Sequence, residues 1–563
     1  MSVQDKARRI IWIRRFVQTL VLVFFLVILA ANRPADGVAP TAPVTIFFDL
    51  NPLVMVSTWL ASHSLEGISL LGLLTLAVTL VFGRVFCGWF CPFGTLHNAV
   101  ASLRKQFRKV VPRVEMFSRW QRAKYFIFLA LLVMTSAGAQ WIGVLDPFSL
   151  LYRSISLTIL PALDVGVSAV ANGVYLTDPH LGSLHLRDLT EPVYRWWQER
   201  VTATELRVFS GTGVVFLVFV TALVLNLVRN RFWCRYLCPL GGMLGLIAAR
   251  PLLRLTSDPE ACNSCQKCTL ACPAAAQPEK PGEWLASECF GCWNCVGSCN
   301  NQGLDFQWTL PLQKTSSGSV DIGKRRALAS VAAGVAGLSM MRITPAAQGK
   351  TFNPALIRPP GARAEYDFLQ RCVKCGLCMQ TCPSGGLQPT WAEAGLEGLW
   401  SPMLVPAIGW CEFECHACGQ VCPTEAIKPL PLAEKKKVKI GLAVIDTTRC
   451  LPYAYGRECI VCEEHCPVPD KAITFEMREA MQRDGSVRLL KFPRVDPVRC
   501  TGCGICETKC PFQDLAGIRV VSAGEDRHPD NQPMLAGGDP YGDPNSDSNG
   551  NANEESNGDS YGY

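Results

Sequence analysis

The amino-acid sequence predicts an α-helical membrane domain of four to five spans, joined to small, cysteine-rich α+β domains. Hydrophobic residues make up 49% of the 563 residues, so the chain is too long for one domain and too apolar for an ordinary soluble protein. Its 28 cysteines divide without remainder into six groups of four and two pairs in the apolar N-terminal half. These tight runs, most of which end in Cys-Pro, are unlike a secreted disulfide scaffold. The modest net charge of +7 does not indicate nucleic-acid binding.

Four apolar segments predict the membrane spans, at about residues 11–31, 68–82, 125–144 and 208–228. The loop between the second and third segments is strongly basic, so the positive-inside rule places it in the cytoplasm together with the N-terminus. Residues 155–176 are also apolar, but they contain Pro161 and Asp164, and we interpret them as an interfacial or re-entrant piece. The membrane domain is thus predicted to cover residues 1–254.

Two cysteine-rich blocks follow the membrane domain. Residues 255–310 hold two cysteine quartets, and residues 350–522 hold four. Residues 523–563 are rich in Gly, Asn, Asp and Ser, a composition that predicts a disordered acidic tail.

The linker between the blocks, residues 311–349, contains a second topological signal. Lys324, Arg325 and Arg326 precede an apolar run of small residues at 327–343. This is the layout of a twin-arginine export signal, and a plain fifth span would have the same basic flank. Either interpretation places the following block on the far side of the membrane.

The two proximal quartets have the spacing of bacterial two-cluster ferredoxins. They follow C-x2-C-x2-C-x3-C and consist of Cys262, Cys265, Cys268, Cys272 and of Cys289, Cys292, Cys295, Cys299. In this ferredoxin-like α+β fold, three neighbouring thiolates bind one [4Fe–4S] cluster and the fourth binds the partner cluster. We therefore expect Cys299 to complete the Cys262 cluster and Cys272 to complete the Cys289 cluster. Zinc is disfavoured, because closed zinc sites usually join two short pairs across a longer loop.

Four distal quartets bring the predicted total to six [4Fe–4S] clusters, a chain for single electrons. They are Cys372, Cys375, Cys378, Cys382; Cys411, Cys415, Cys418, Cys422; Cys450, Cys459, Cys462, Cys466; and Cys500, Cys503, Cys506, Cys510. The two middle quartets are widened, which resembles the four-cluster ferredoxin subunits of membrane-linked oxidoreductases. That resemblance implies that the first quartet pairs with the fourth and the second with the third. Cys510 would then bind the first cluster and Cys382 the fourth. Cys466 would bind the second cluster and Cys422 the third. Sequential pairing is the alternative.

Two further pairs, Cys87 with Cys91 and Cys234 with Cys238, close the second and fourth apolar segments. Each has the motif C-x3-C-P, and if helical each pair lies on one face at positions i and i+4. The matched positions favour a metal-binding or redox-active role. The alternative is a purely structural role, in which each pair is buried where two helices pack and the following proline ends the helix.

The surroundings of these pairs resemble a known family. The motif R-x2-C-x3-C-P-x-G occurs from Arg84 to Gly94 and again from Arg231 to Gly241, and a two-cluster ferredoxin follows. This combination looks like the NapH/NosR family of membrane polyferredoxins. The twin arginines, then Arg358-Pro-Pro-Gly and four quartets, look like NapG, the exported ferredoxin partner of NapH. The chain thus resembles a fusion of the two.

The resemblance implies a quinol dehydrogenase of the bacterial cytoplasmic membrane, with its C-terminal ferredoxin domain in the periplasm. Menaquinol or ubiquinol would supply electrons, and a periplasmic reductase or c-type cytochrome would accept them. Related accessory proteins with paired C-x3-C-P motifs handle copper, so the alternative is metallocentre assembly, in which soft thiolates bind Cu(I). A passive anchor for other redox subunits is a third hypothesis.

Quinol oxidation also needs a proton acceptor near the quinol ring. Five side chains near predicted helix ends come into question: Asp49, His63, Glu66, His97 and Asp146. Polar residues are common at such ends for structural reasons, so none of the five is assigned as catalytic.

Overall fold

The computed structural model describes most of the chain, in stretches separated by gaps. These are residues 2–33, 43–107, 115–178, 180–181, 184–201, 208–258, 260–277, 284–309, 323–342, 352–481, 486–512 and 514–531. Residues 311–322 and 343–349 of the predicted linker, and residues 532–563 of the predicted tail, lie outside the described residues.

The N-terminal half is almost entirely helical. Its α-helices are α1 (Val3–Ala31), α2 (Ile46–Asp49), α3 (Pro52–Ser62), α4 (Gly72–Phe82), α5 (Val85–Trp89), α6 (Pro92–Phe107), α7 (Ala123–Ser136), α8 (Ile142–Leu145), α9 (Pro147–Ser154), α10 (Leu160–Thr177), α11 (Leu186–Arg200), α12 (Thr212–Val224) and α13 (Pro239–Ile247). A short antiparallel pair, β1 (His180–Leu181) and β2 (Leu184–His185), joins α10 to α11. Several helices begin at a side-chain cap. Asp146, for example, accepts the backbone N–H groups of Phe148 and Ser149 at the start of α9.

Two helical stretches are long and apolar enough to cross a membrane, judged by length and composition: Val3–Ala31 and Pro147–Thr177. Three other apolar helices in the described residues, at Pro52–Ser62, Gly72–Phe82 and Thr212–Leu227, are shorter. The prediction of four to five continuous spans is therefore wrong. In the second predicted span, Gly83 has φ +72° and ends α4, so this helix of 11 residues covers only about 16 Å.

The apolar segment at 155–176 is also more regular than predicted. It belongs to the unbroken helical stretch Pro147–Thr177, in which a π-helical turn, Ile155–Ile159, joins α9 to α10. Pro161 lies in the first turn of α10, where its missing N–H breaks no hydrogen bond within that helix. The Asp164 carboxylate accepts a hydrogen bond from the indole of Trp197 at 3.0 Å. The two residues that argued against a helix are thus accommodated.

The helix that begins at the basic motif, α16 (Lys324–Met341), packs along α7. Gly334 permits the close approach, because a Cβ atom there would lie 2.7 Å from the Ala130 carbonyl oxygen. Beyond the C-terminal end of α16, Arg342 donates a hydrogen bond to the Ala137 carbonyl oxygen. This helix therefore follows α7 over most of its length and is held at its C-terminal end.

The cysteine-rich blocks contain three ferredoxin-like units with one strand arrangement. In the proximal unit β3 (Leu253–Ser257), before the first quartet, pairs antiparallel with β4 (Leu304–Trp308), after the second. In the last distal unit β7 (Leu442–Ile445) pairs in the same way with β10 (Ile518–Val521). In the first distal unit an isolated antiparallel bridge joins Ala362 to Ile427.

The remaining elements of the blocks are short. The proximal unit has α14 (Lys267–Ala271) and α15 (Asn294–Gly297); the distal block has α17 (Glu365–Arg371), α18 (Leu377–Thr381), α19 (Ala417–Gln420), α20 (Leu432–Lys435), α21 (Leu451–Tyr455), α22 (Val461–Glu464) and α23 (Ile505–Thr508). Two more antiparallel strand pairs complete the distal block: β5 (Leu387–Pro389) with β6 (Pro402–Leu404), and β8 (Ile473–Met481) with β9 (Val487–Val495).

The first residues of the predicted acidic tail belong to the distal block. Arg527 forms an ion pair with buried Glu365 at 2.7 Å, and Asn531 is buried and donates to the Ser522 carbonyl oxygen. The predicted disorder from residue 523 onward is therefore wrong for 523–531, because these residues satisfy buried polar groups of the block.

The two cysteine-rich blocks contact opposite ends of α1. Near the N-terminus of this helix, Gln4 donates to the Cys299 carbonyl oxygen at 2.6 Å. At its C-terminus Gln380 donates to the Leu29 carbonyl oxygen at 2.8 Å, and Asn32 donates to the Leu377 carbonyl oxygen at 3.1 Å. A helix of 29 residues is about 43 Å long, which exceeds the roughly 30 Å of a bilayer core.

Candidate metal centres

Four of the six quartets share an unusual loop conformation. In each C-x2-C-x2-C run, the residues just before and just after the second cysteine have positive φ: Ser264 and Gln266, Gly291 and Trp293, Lys374 and Gly376, Gly502 and Gly504. For the non-glycine residues this conformation costs about 1–2 kcal/mol each. Its repetition on unrelated side chains indicates a loop shaped for binding, and such loops are where backbone strain is commonly kept.

Several cysteine sulfurs already accept backbone hydrogen bonds. The N–H groups of Gly291, Ala443, Ala472 and Gly517 lie 3.3–3.5 Å from the Sγ atoms of Cys289, Cys500, Cys466 and Cys510. Hydrogen bonds to sulfur stabilise thiolate ligands and tune the reduction potential of an iron–sulfur cluster. The loops and their sulfurs thus fit [4Fe–4S] clusters.

The proximal cysteines are grouped as the spacing predicts. Cys272 lies close enough to Cys289, Cys292 and Cys295 to interact with them electrostatically, although it belongs to the other quartet in sequence. Cys268 likewise interacts with Cys299. Each candidate centre therefore takes three neighbouring thiols and one remote thiol.

The distal cysteines pair sequentially. The first three cysteines of the first quartet, Cys372, Cys375 and Cys378, interact with Cys422, while Cys382 lies with Cys411, Cys415 and Cys418. Cys510 interacts with Cys450, and Cys466 lies with Cys500, Cys503 and Cys506. The pairing of first with fourth and second with third, implied by the four-cluster resemblance, is wrong. The two distal units are each closed by their own flanking strands or bridge, so their quartets cannot exchange ligands.

One backbone contact fixes the order of the distal centres. The Cys411 N–H donates to the Cys503 carbonyl oxygen at 2.7 Å, which joins the second quartet to the fourth. The centre on Cys372 lies at the end that contacts α1, since neighbouring Leu377 and Gln380 bond to that helix. The centres therefore follow one another as first, second, fourth and third quartet.

Burial raises the pKa of several cysteine thiols and so favours their protonated form. It raises the pKa of Cys411 to about 11 and those of Cys289 and Cys503 to about 12. Binding of a cluster replaces these protons, so assembly is linked to proton release. In the described residues, no three His, Cys, Asp or Glu side chains are arranged to hold a single metal ion.

The two C-x3-C-P pairs form a separate group in the N-terminal half. All four thiols are buried, and Cys91 and Cys238 each interact electrostatically with Cys87 and Cys234. A spacing of four residues would place both cysteines of a pair on one face of a single helix, but neither pair lies on one continuous helix. The helical turn holding Cys87 or Cys234 ends before the second cysteine of the pair, and the next helix begins at the proline.

Three of the five candidate proton acceptors, Asp49, Glu66 and Asp146, have polar side-chain partners. Asp146 caps α9, and its carboxylate also accepts a hydrogen bond from Asn51. Asp49 accepts one from Thr45, Glu66 pairs with Arg363 at 3.3 Å, and His97 is fully buried against the edge of Phe93. His63 is exposed at the C-terminal end of α3.

The sequence did not predict the burial of three charged residues at the junction of the N-terminal helices and the proximal block. Arg84 and Arg231 are fully buried, and Glu288 is buried where it contacts both Arg84 and Lys124. The arginines lie three residues before the first cysteine of each pair. The repeated spacing of these two arginines could have indicated that they have a role at the cysteine pairs. Nothing in the sequence around Glu288 indicates that it is buried.

The ligand pairing can be tested with a double variant. Because Cys378 and Cys422 belong to one centre, replacing both with serine should disturb only one distal cluster, and the EPR signals of the others should persist. The matched control, Cys378→Ser with Cys382→Ser, should disturb two clusters. Equal losses in the two variants would contradict sequential pairing.

Comparison with known domains gives matches to both C-x3-C-P pairs, to the proximal block and to the last distal quartet. A family described as "4Fe-4S binding domain" matches residues 66–110 and 212–256, each of which includes one C-x3-C-P pair. A "4Fe-4S dicluster domain" matches residues 254–300, and a second "4Fe-4S binding domain" matches residues 492–515. No solved structure matches the chain.

Curated relatives are ferredoxin-type proteins. The methylamine utilization ferredoxin-type protein MauM of Methylobacillus flagellatus is 35% identical over 35% of this chain and 79% of its own length. The ferredoxin-type protein NapG of Escherichia coli is 34% identical over 35% of this chain and 85% of its own. The putative electron transport protein YccM of Escherichia coli is 26% identical over 40% of this chain and 51% of its own.

Proposed function

We propose that this chain, which belongs to the ferredoxin-type iron–sulfur electron-transfer proteins together with MauM and NapG, is a membrane relay. It takes electrons from quinol and delivers them to a periplasmic reductase or c-type cytochrome. The observation that carries this proposal is the attachment of the two cluster-binding blocks to opposite ends of α1. A relay within one compartment would not need a helix long enough to cross a bilayer between its two halves.

Exposed apolar side chains support a membrane location. On α1, Trp12, Phe16 and Val27 have 69%, 57% and 58% of their surface exposed, and α10 and α12 also expose large apolar residues. Apolar side chains exposed along long helices would be costly in water and suit contact with lipid. Quinol dissolves in the same layer, so it is the donor that such a surface meets.

The chain's residues hold the centres in a single file. When bound, [4Fe–4S] clusters supply one-electron transfer without proton uptake of their own. The protein fixes their order, shields all but two of their ligands at least in part and leaves the two ends of the series more open. At the proximal end Cys262 and Cys265 are exposed, and at the distal end Tyr455 and Val498 are exposed near the third and fourth quartets.

Quinol reduction is the direct test. Anaerobically purified protein should develop EPR signals of reduced clusters from both blocks when it is mixed with a water-soluble quinol analogue. The oxidised quinone form is the negative control, and dithionite shows the full signal. Reduction by dithionite alone, with no response to quinol, would refute quinol oxidation while leaving the iron–sulfur assignment intact.

We also propose that the blocks lie on opposite sides of the membrane, the proximal block in the cytoplasm and the distal block in the periplasm. The basic residues Lys324, Arg325 and Arg326 at the start of α16 support this orientation by the positive-inside rule. A protease site inserted after Gln348 should be cut from outside in spheroplasts, and one inserted after Ser317 should not. Cutting at both sites, or at neither, would refute the arrangement.

Metallocentre assembly is the second candidate, favoured by the four soft thiols gathered in the N-terminal half. It predicts copper that co-purifies with the chain and is lost in Cys87→Ser. Protein free of copper after expression in copper-supplemented medium would exclude it.

A further inference from the structure

The two C-x3-C-P motifs build one site with approximate two-fold symmetry. In each motif the second cysteine precedes a proline that begins a helix, α6 or α13. Three residues later a glycine N–H donates to the cysteine sulfur: Gly94 to Cys91 at 3.4 Å, and Gly241 to Cys238 at 3.3 Å. Both sulfurs therefore lie at helix N-termini, where backbone N–H groups stabilise negative charge.

The arginine of each motif reaches across to the other motif. Arg231 donates to the Cys87 carbonyl oxygen at 3.1 Å. Arg84 lies against the opposite loop, because a Cβ atom on Gly241 would come within 2.9 Å of its Nη2 atom. Both arginines are at least 99% buried, and the Nη2 atoms of both have no hydrogen-bond partner.

The charges around the site do not balance without a further anion. Arg84, Lys124 and Arg231 supply three positive charges, and in the same group Glu288 supplies one negative charge. Buried charges without partners are strongly unfavourable. An iron–sulfur cluster held by four thiolates is anionic, so it would supply the missing charge and acceptors for the free guanidinium N–H groups.

We propose that Cys87, Cys91, Cys234 and Cys238 together hold a seventh iron–sulfur cluster, which connects the proximal and distal blocks electrically. The existence of this centre does not depend on quinol as the donor, whereas its connecting role rests on the relay proposed above. The two C-x3-C-P motifs thus form one four-cysteine site, and neither cysteine pair binds a metal by itself.

The proximal side of the proposed centre touches the Cys289 loop. A Cβ atom on Gly88 would lie 2.3 Å from the Phe290 carbonyl oxygen, and the Trp89 indole donates to the Gly291 carbonyl oxygen at 3.0 Å. Glycine at position 88 is therefore needed for this close approach. As a result, Cys87 lies close to the loop that carries Cys289, a ligand of the nearest proximal centre.

On the distal side a file of packed aromatic rings leads from this centre to the first distal quartet. Phe86, next to Cys87, lies 6.0 Å from Phe148 between ring centroids. The file continues from Phe148 to Phe47 at 6.0 Å, from Phe47 to Phe25 at 5.1 Å, and from Phe25 to Tyr152 at 6.2 Å. Tyr152 interacts electrostatically with Cys375 and Cys378 and is bonded to Gln380 at 2.6 Å.

Electron transfer through protein falls steeply with distance, so a centre between the blocks divides one long step into two shorter ones. Each turnover brings one electron from a neighbouring reduced cluster, which is oxidised, and passes it to the cluster beyond, which is reduced. No bond forms or breaks and no proton moves. The aromatic rings fill the space between the two centres with densely packed atoms through which the electron passes, and they are not themselves oxidised.

The proposal predicts iron beyond six clusters. Anaerobically purified wild-type protein should contain about 28 iron atoms per chain, and Cys87→Ser with Cys234→Ser should lose about four of them together with the matching sulfide. The EPR signals of both ferredoxin blocks should remain after dithionite reduction. In the same variant, electrons supplied to the proximal block should no longer reach the distal block.

Two comparisons keep the test decisive. Cys378→Ser, which lies in a distal quartet, should disturb a different signal and leave the proposed centre intact. Mössbauer spectra of the wild-type protein count the clusters without any variant, so a variant that fails to fold does not leave the question open. Iron for six clusters only, or copper in place of iron at these cysteines, would overturn the proposal. A seventh cluster that quinol cannot reduce would instead refute the proposed donor.

Discussion

Replacing Glu365 by glutamine should destabilise the distal block by about 3–5 kcal/mol, the range expected when one partner of a buried ion pair is removed. Glu365 is buried at the start of α17, where its carboxylate contacts Arg358 at 2.5 Å and Arg527 at 2.7 Å. An amide would leave the buried Arg358 guanidinium without its counter-charge and would leave Arg527 paired with Glu525 alone. It would also weaken one of the contacts that hold residues 523–531 against the block, where Asn531 and Asp526 form others.

The same carboxylate makes stability depend on pH. Burial alone would raise the pKa of Glu365, but Arg358 and then Arg527 outweigh burial and hold that pKa at about 2, below its ordinary 4.5. A pKa depressed in the folded state contributes stability that is complete above about pH 4.5 and is lost as the pH falls toward 2. The difference corresponds to roughly 3 kcal/mol.

The temperature at which the cluster absorbance disappears, measured anaerobically between pH 7 and pH 3, tests both statements. Wild-type protein should lose stability below about pH 4.5, and Glu365→Gln should be less stable at pH 7 with a flatter dependence on pH. The matched control is Glu476→Gln, because Glu476 pairs with Arg478 on the surface and should contribute nothing measurable. Equal melting temperatures for Glu365→Gln and wild type at pH 7 would contradict the buried pair.

The proximal ligand sets were predicted in full, whereas the distal sets could be predicted only as far as local spacing reaches. Three cysteines in C-x2-C-x2-C must share a site, because the loop is too short to separate them, and the structure groups them so. The fourth ligand depends on which two loops meet, and that is decided by strands. The apolar runs Leu442–Ile445 and Ile518–Val521 enclose the third and fourth quartets, and their pairing excludes exchange with the first two. These apolar runs are present in the sequence, but the pairing implied by the resemblance to four-cluster subunits did not take them into account.

The ends of the apolar N-terminal helices were harder to predict for a different reason. Hydropathy records how apolar a segment is and not where its helix stops. Gly83 ends α4, and the helical turn with Cys87 ends before Cys91, although the apolar character continues. These interruptions bring the two C-x3-C-P loops together, so the feature that shortened the predicted spans also creates the candidate centre.

Replacing Glu288 by glutamine should weaken the attachment of the proximal block to the helices, again by about 3–5 kcal/mol. Its carboxylate lies 3.3 Å from Arg84, contacts Lys124 and accepts a hydrogen bond from the Tyr125 hydroxyl at 2.7 Å. Glutamine keeps the shape but removes the one carboxylate that contacts both Arg84 and Lys124 in the described residues.

Because Glu288 directly precedes Cys289, the consequence should extend to electron transfer. The carboxylate holds the Cys289 loop against Arg84, which belongs to the first C-x3-C-P motif, so loosening it should separate the proximal centres from the rest of the file. We expect Glu288→Gln to keep its proximal clusters when reduced by dithionite, yet to pass electrons to the distal block more slowly than wild type. Glu191→Gln is the control, since its pair with Arg195 is exposed and should not matter. Stability and transfer rate equal to wild type in Glu288→Gln would show that this buried charge cluster does not couple the proximal block to the N-terminal helices.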